Sequence, residues 1–89
     1  MGMNETLKAV SDPVRRDILQ MLKEGRKSAG EIGEKFSLTA ATVSYHLTKL
    51  KKADLITEQK YKNFIFYELN ASVFEEIITW IYDLGGNLK

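Results

Sequence analysis

Apolar positions along the chain change their spacing twice. Up to residue 55 they recur three and four apart, between residues 56 and 69 they alternate, and from 73 to 84 a helical period returns over a wider arc. The first stretch divides into four helices. Met3, Leu7 and Val10 form a short stripe that stops before Ser11-Asp12-Pro13. Asp12 is a good N-cap, and Pro13 suits the first helical position because it has no N–H to leave unpaired. Val14, Ile18, Leu19 and Leu22 then carry a second helix to about Lys23, with Gly25 ending it. Ser28-Ala29-Gly30-Glu31 has the form of a capping box, in which each side chain satisfies the other residue's backbone N–H, and predicts a third helix burying Ile32 and Phe36. Ser37-Leu38 is a turn. Thr39 caps a fourth helix whose inner face is Val43, Leu47 and Leu50, and which ends near Asp54-Leu55.

Two helices, a tight turn and a longer helix have helix-turn-helix spacing. The alternating region predicts a strand over 56–61, a turn at Lys62-Asn63, and a second strand over 64–69 rich in aromatic and β-branched residues. A lone two-stranded hairpin is unstable, so it must lie against the helices, leaving the Lys60 to Lys62 tip to project as a wing. Asn70 or Ser72 is placed to cap a last helix. There Val73, Phe74, Ile77, Ile78, Trp80, Ile81, Tyr82 and Leu84 leave only Glu75, Glu76, Thr79 and Asp83 polar. A helix resting on one core needs an apolar stripe of roughly 100°, so the surplus predicts a second partner surface.

The 89 residues suit a single domain with one small core, which a second copy of the chain would enlarge. With 44% hydrophobic and 28% charged residues, the chain has the profile of a folded protein. It has no Cys, which excludes disulfides, thiol nucleophiles and thiol-based redox sensing. Met1 to Lys8 lacks the form of a signal peptide, and the myristoylation pattern at Gly2 is better read as a start-site remnant; a soluble cytoplasmic protein is expected. Net charge is only +1, yet it is segregated: residues 37–64 carry five basic and two acidic side chains, and residues 65–89 carry one and four. A positive middle suits phosphate and an acidic end some other surface, while charge alone is equally met by the solvated faces of ordinary helices.

With Val43, Leu47 and Leu50 turned inward, Ala41, Thr42, Ser44, Tyr45, Thr48, Lys49 and Lys52 face outward or to the flanks, with no acid until Asp54. Small side chains, hydroxyls, one aromatic and lysines suit close approach to base edges and phosphates. Residues at the start of such a helix enter the major groove and later ones meet the backbone. The candidate DNA-binding set is therefore Thr39, Ala40, Ala41, Thr42, Ser44, Tyr45, Lys49 and Lys52, with Lys60 and Lys62 on the wing. Lys51 is a further candidate for phosphate. The candidate dimerisation set is Met3, Leu7, Val73, Phe74, Ile77, Trp80, Ile81 and Leu84. His46, the only histidine, falls beside the buried stripe, where a packing or hydrogen-bonding role outweighs catalysis or metal binding. A Ser44, His46 and Asp54 or Asp12 triad fails because residues two apart on a helix do not face each other and no nucleophile elbow is present; no enzyme is expected. For Arg15 and Arg16, a structural role pairing with acids such as Asp12 or Glu5 outweighs contact with phosphate.

Ser11-Asp12-Pro13-Val14-Arg15-Arg16-Asp17-Ile18-Leu19, Ser28-Ala29-Gly30-Glu31-Ile32, Thr39 to Leu47 and Asp54-Leu55-Ile56, in that order and spacing, resemble the ArsR/SmtB family of bacterial repressors. The resemblance covers nearly the whole chain. It implies a mainly α winged helix-turn-helix fold of about five helices and two strands, as one domain over 1–89. It also implies a homodimer joined by first and last helices, bound to an inverted repeat in double-stranded DNA near its own promoter. Family metal sensors carry Cys in the third helix, or His and acids in the last; here Gly30-Glu31-Ile32-Gly33-Glu34 and a His-free last helix imply no metal and no cofactor. Ser44 and His46 match the family's Ser-x-His-Leu motif, while Ala40 and Ala41 replace its usual Gln or Ser. Short length and an aromatic last helix are most similar to the metal-independent autorepressors, whose signal is relayed by a membrane-bound protein. Two rivals remain: a winged helix used as a protein-interaction module, and a sensor of a non-thiol ligand such as an ion held by Glu75, Glu76 and Asp83 across a dimer.

Overall fold

The computed structural model describes residues 3–86, so Met1, Gly2 and the last three positions of the expected domain lie outside the described residues. The elements run α1 (Met3–Val10), α2 (Pro13–Leu22), α3 (Ala29–Phe36), α4 (Ala40–Lys52), β1 (Ile56–Tyr61), β2 (Phe64–Leu69) and α5 (Ala71–Gly86). Local chemistry sets their ends. The Asp12 carboxylate accepts from the Val14 and Arg15 N–H groups at 2.8 and 3.1 Å. Both halves of the Ser28/Glu31 capping box form. Ser37 closes α3 in the left-handed region (φ 55°), and the Thr39 hydroxyl accepts from Thr42 N at 3.2 Å to open α4.

Ile18, Leu22, Ile32, Val43, Leu47, Leu50, Leu55 and Ile56 form the core under the helix-turn-helix, with Phe36 only half-buried at its edge. The α3–α4 turn is tight at Gly33, where a Cβ would lie 3.2 Å from the Leu38 carbonyl and 3.4 Å from Val43 Cγ2. Of the α1 stripe, only Val10 packs against the core, half-buried. Thr6 and Ala9 are the buried residues of α1, while Met3 and Leu7 stay exposed. A small residue and a hydroxyl permit the close seating of α1 on Ala53, whose carbonyl Thr6 reaches at 3.5 Å.

β1 and β2 pair antiparallel from Ile56↔Leu69 to Tyr61↔Phe64, leaving Lys62-Asn63 as a two-residue turn with Lys62 at φ 56°. Beyond the two expected strands, Lys27 and Tyr67 exchange backbone hydrogen bonds of 3.0 and 2.8 Å, which ties the α2–α3 loop to β2 and supplies the support a lone hairpin lacks. Asn70 precedes α5, but its side-chain amide donates to the Asp54 carbonyl at 2.9 Å, and Ser72 lies inside the helix. Asn70 thus clasps the start of the hairpin to the start of α5.

Val73, Phe74 and Ile77 rest half-buried against the core, and no described residue of α5 is fully buried. Ile78, Trp80, Ile81, Tyr82 and Leu84 are exposed, Tyr82 to 75%. The second half of α5 projects past the core, consistent with a long axis of 49 Å against 25 and 23 Å. The radius of gyration is 14.1 Å; a compact chain of this length would have roughly 12 Å. No helix among the described residues is long and apolar enough to cross a membrane.

Candidate nucleic-acid interface

α4 buries Val43, His46, Leu47 and Leu50, and so turns the opposite face to solvent. Ala40, Ala41, Ser44, Tyr45, Thr48, Lys49 and Lys52 are exposed, Tyr45 to 57%. Thr39 is exposed at the N-terminus, and its hydroxyl also donates to Thr42 Oγ1 at 3.0 Å, which holds half-buried Thr42 beside the cap. The first turn carries no acid. Its small side chains leave room for the close approach of a phosphate or base edge. Lys49 Nζ stands 5.6 Å from the Tyr45 ring centroid.

Lys51, the further phosphate candidate, is exposed too, but it has a partner within the chain. Its Nζ lies 2.7 Å from Glu58 Oε1 on β1, so the ammonium is already paired with the wing. That hydrogen bond raises the Lys51 ammonium above the ordinary lysine range and holds the Glu58 carboxyl below the usual one. Tyr67, opposite Glu58 in the hairpin register, is half-buried, and burial followed by the nearby Glu58 charge pushes its phenol up.

Lys60 and Lys62 are exposed at the wing tip, and Lys62 Nζ lies 5.4 Å from the Tyr61 ring centroid. Sequence reasoning missed Arg26. Its guanidinium carbon sits 4.8 Å from the Phe66 centroid and 5.6 Å from that of Tyr61, so the α2–α3 loop adds a third cation to the wing. No local spacing signals this contact, which depends on the loop path fixed by the Lys27–Tyr67 pairing.

Arg15 and Arg16 have structural roles. Arg15 bonds the Ala9 and Lys8 carbonyls and approaches Asp12 at 4.0 Å, and Arg16 bonds the Val10 carbonyl at 2.7 Å. Burial pushes the Asp12 carboxyl up, but the Arg15 and Val14 N–H groups and the Arg15 charge outweigh it and leave the pKa lowered. His46 is 7% exposed, and its Nδ1 lies 3.3 Å from Arg15 Nη1. Among the described residues of one chain, no cluster of His, Asp or Glu is arranged to hold a metal ion.

A family described as a helix-turn-helix domain matches residues 10–59. The chain is 43% identical over 79 residues to the transcriptional repressor SdpR of Bacillus subtilis strain 168, covering 89% of this chain and 88% of that one. It is 33% identical over 76 residues to the arsenical resistance operon repressor of Staphylococcus aureus, covering 85% and 73%. In fold it is similar to the homodimeric winged helix-turn-helix DNA-binding domain of Mb0332 from Mycobacterium bovis, with a TM-score of 0.77, 20% identity, and coverage of 97% of this chain and 81% of the other.

Proposed function

The chain belongs to the ArsR/SmtB-type family of helix-turn-helix regulators, and from that premise we propose that it is a repressor that binds double-stranded DNA as a homodimer. One observation carries the DNA reading: the solvent face of α4 from Ala40 to Lys52 is exposed, free of acids, and backed by a fully buried inner face. Thr39, Ala40, Ala41, Thr42, Ser44 and Tyr45 enter the major groove, Lys49 and Lys52 hold phosphates, and Lys60 and Lys62 reach the adjoining minor groove.

The homodimer is supported by the exposed apolar residues Met3, Leu7, Trp80, Ile81 and Leu84, and by the homodimeric assembly of the similar domain. Val73, Phe74 and Ile77 already lean on their own core, so they contribute only their remaining open surface. One domain with dimer helices at both ends then places two α4 helices on an inverted repeat. Autoregulation and independence from metal extend this reading, the latter favoured by the absence of Cys. A membrane-bound signalling partner rests on the subgroup resemblance alone.

Binding of the full chain to a duplex carrying its own upstream region, titrated with salt, tests the proposal. Tight binding that weakens steeply with salt and is lost in Tyr45→Ala/Lys49→Ala supports it. Affinity no greater than for random duplex sinks autoregulation, and the same result across other promoter fragments sinks the DNA reading.

A further inference from the structure

Arg15 stands where three elements meet. Its Nε donates to the Ala9 carbonyl at 2.8 Å, a group at the end of α1, and its Nη2 adds a longer 3.4 Å bond to the Lys8 carbonyl, which the Ser11 N–H and hydroxyl already reach. Its Nη1 lies 3.3 Å from His46 Nδ1 on α4, and the side chain is only 11% exposed. A guanidinium carries donors and no acceptor, so this contact is a hydrogen bond only where His46 Nδ1 accepts and the ring proton sits on Nε2. The His46 ring in turn meets the Tyr45 ring edge-on, with centroids 5.4 Å apart. A cleft between α1 and α4 is lined by both ends of this chain of contacts, Arg15 and Tyr45, together with Glu5, Lys8, Lys49 and Lys52.

We propose that Arg15 and His46 form a positioning pair that transmits the seating of α1 to Tyr45. It rests on the reading of α4 as the DNA-contacting helix and adds to it a physical link between the α1 side of the molecule and a base-reading side chain. Arg16 provides an internal contrast. It also satisfies an α1 carbonyl, that of Val10, but its hydrogen bond leads to no residue of α4.

The test is a set of double-mutant cycles on the full chain, with the affinity for the upstream duplex as readout and thermal unfolding as the check on folding. Tyr45→Ala is expected to weaken binding by about tenfold in the wild-type background. In Arg15→Gln or His46→Leu the same change should cost less than about threefold, because contacting pairs are non-additive, while in Arg16→Gln it should keep its full effect. A second measurement needs no DNA: nitrogen NMR of the His46 ring should show the Nε2–H tautomer in wild type and Arg16→Gln, and a mixture in Arg15→Gln. An Nδ1–H tautomer in wild type overturns the pair even if variants fail to fold. Full additivity with Arg15→Gln and His46→Leu overturns the positioning role alone, whereas a wild-type chain that binds no promoter duplex overturns the DNA reading and the positioning role with it.

Discussion

Lys51 Nζ lies 2.7 Å from Glu58 Oε1, so the last turn of α4 and the first half of the wing share one ion pair. On the proposed reading of α4, this pair engages a cation at the helix end that would otherwise be available to a phosphate. Glu58→Gln is expected to release it. If Lys51 then reaches a phosphate, the plot of log affinity against log salt steepens by about one; an unchanged slope would show that Lys51 lies off the DNA path. The pH dependence has a definite sign. Because the folded Glu58 pKa is lowered, the pair stabilises above the unfolded carboxylate pKa and its contribution is lost as pH falls through the folded value. The stability gap between wild type and Glu58→Gln should close on acidification, as chemical denaturation at several pH values would reveal.

Asp12→Ala removes the N-cap of α2 and should cost about 1 kcal/mol in urea unfolding at neutral pH. Asp12→Asn keeps an oxygen acceptor and should fall between the two. Since the folded Asp12 pKa is lowered, the charge-dependent part of the difference is present above the unfolded aspartate pKa and disappears in acid. A wild-type advantage over Asn that persists unchanged into acid would contradict this account.

Two glycines of α3 should respond oppositely to the same substitution. At Gly30 an added Cβ meets only Ser28 Oγ at 3.8 Å, so Gly30→Ala should stabilise by about 0.5 to 1 kcal/mol through helix propensity. At Gly33 the new Cβ would press on the Leu38 backbone carbonyl at 3.2 Å, in the turn that sets the α3–α4 angle. Gly33→Ala should therefore forfeit that gain and lie at least about 1 kcal/mol below Gly30→Ala. Equal midpoints for the two variants would mean that the turn has slack.

Ile81→Glu places a charge on the overhanging half of α5. Analytical ultracentrifugation should find wild type dimeric and the variant monomeric. The wild-type melting temperature should rise with protein concentration while that of the variant does not. A monomeric wild type at high micromolar concentration would defeat the dimer proposal.

Elements whose ends are set by local chemistry were legible in the sequence. Asp12-Pro13, the Ser28/Glu31 box and Thr39 each mark a helix start within a few residues, and alternation located both strands and the Lys62-Asn63 turn. What escaped depends on contacts between distant segments. The Lys27–Tyr67 pairing involves one residue on each side and has no period. Thr6 and Ala9 face inward because α1 seats closely on Ala53, which a count of apolar positions does not weigh. Of the candidate site, the α4 face followed from its helical period. The diversion of Lys51 to Glu58 and the stacking of Arg26 did not, because each joins two elements whose relative placement the spacing leaves open.

Lys62, at φ 56°, holds a backbone conformation that costs an L-residue roughly 1 to 2 kcal/mol and glycine almost nothing. Lys62→Gly would firm the hairpin and remove a cation from the proposed wing contact. Thermal robustness and grip on DNA therefore pull in opposite directions at this one position. A screen that ranks variants by melting temperature alone would, at the wing tip, enrich for weaker binders.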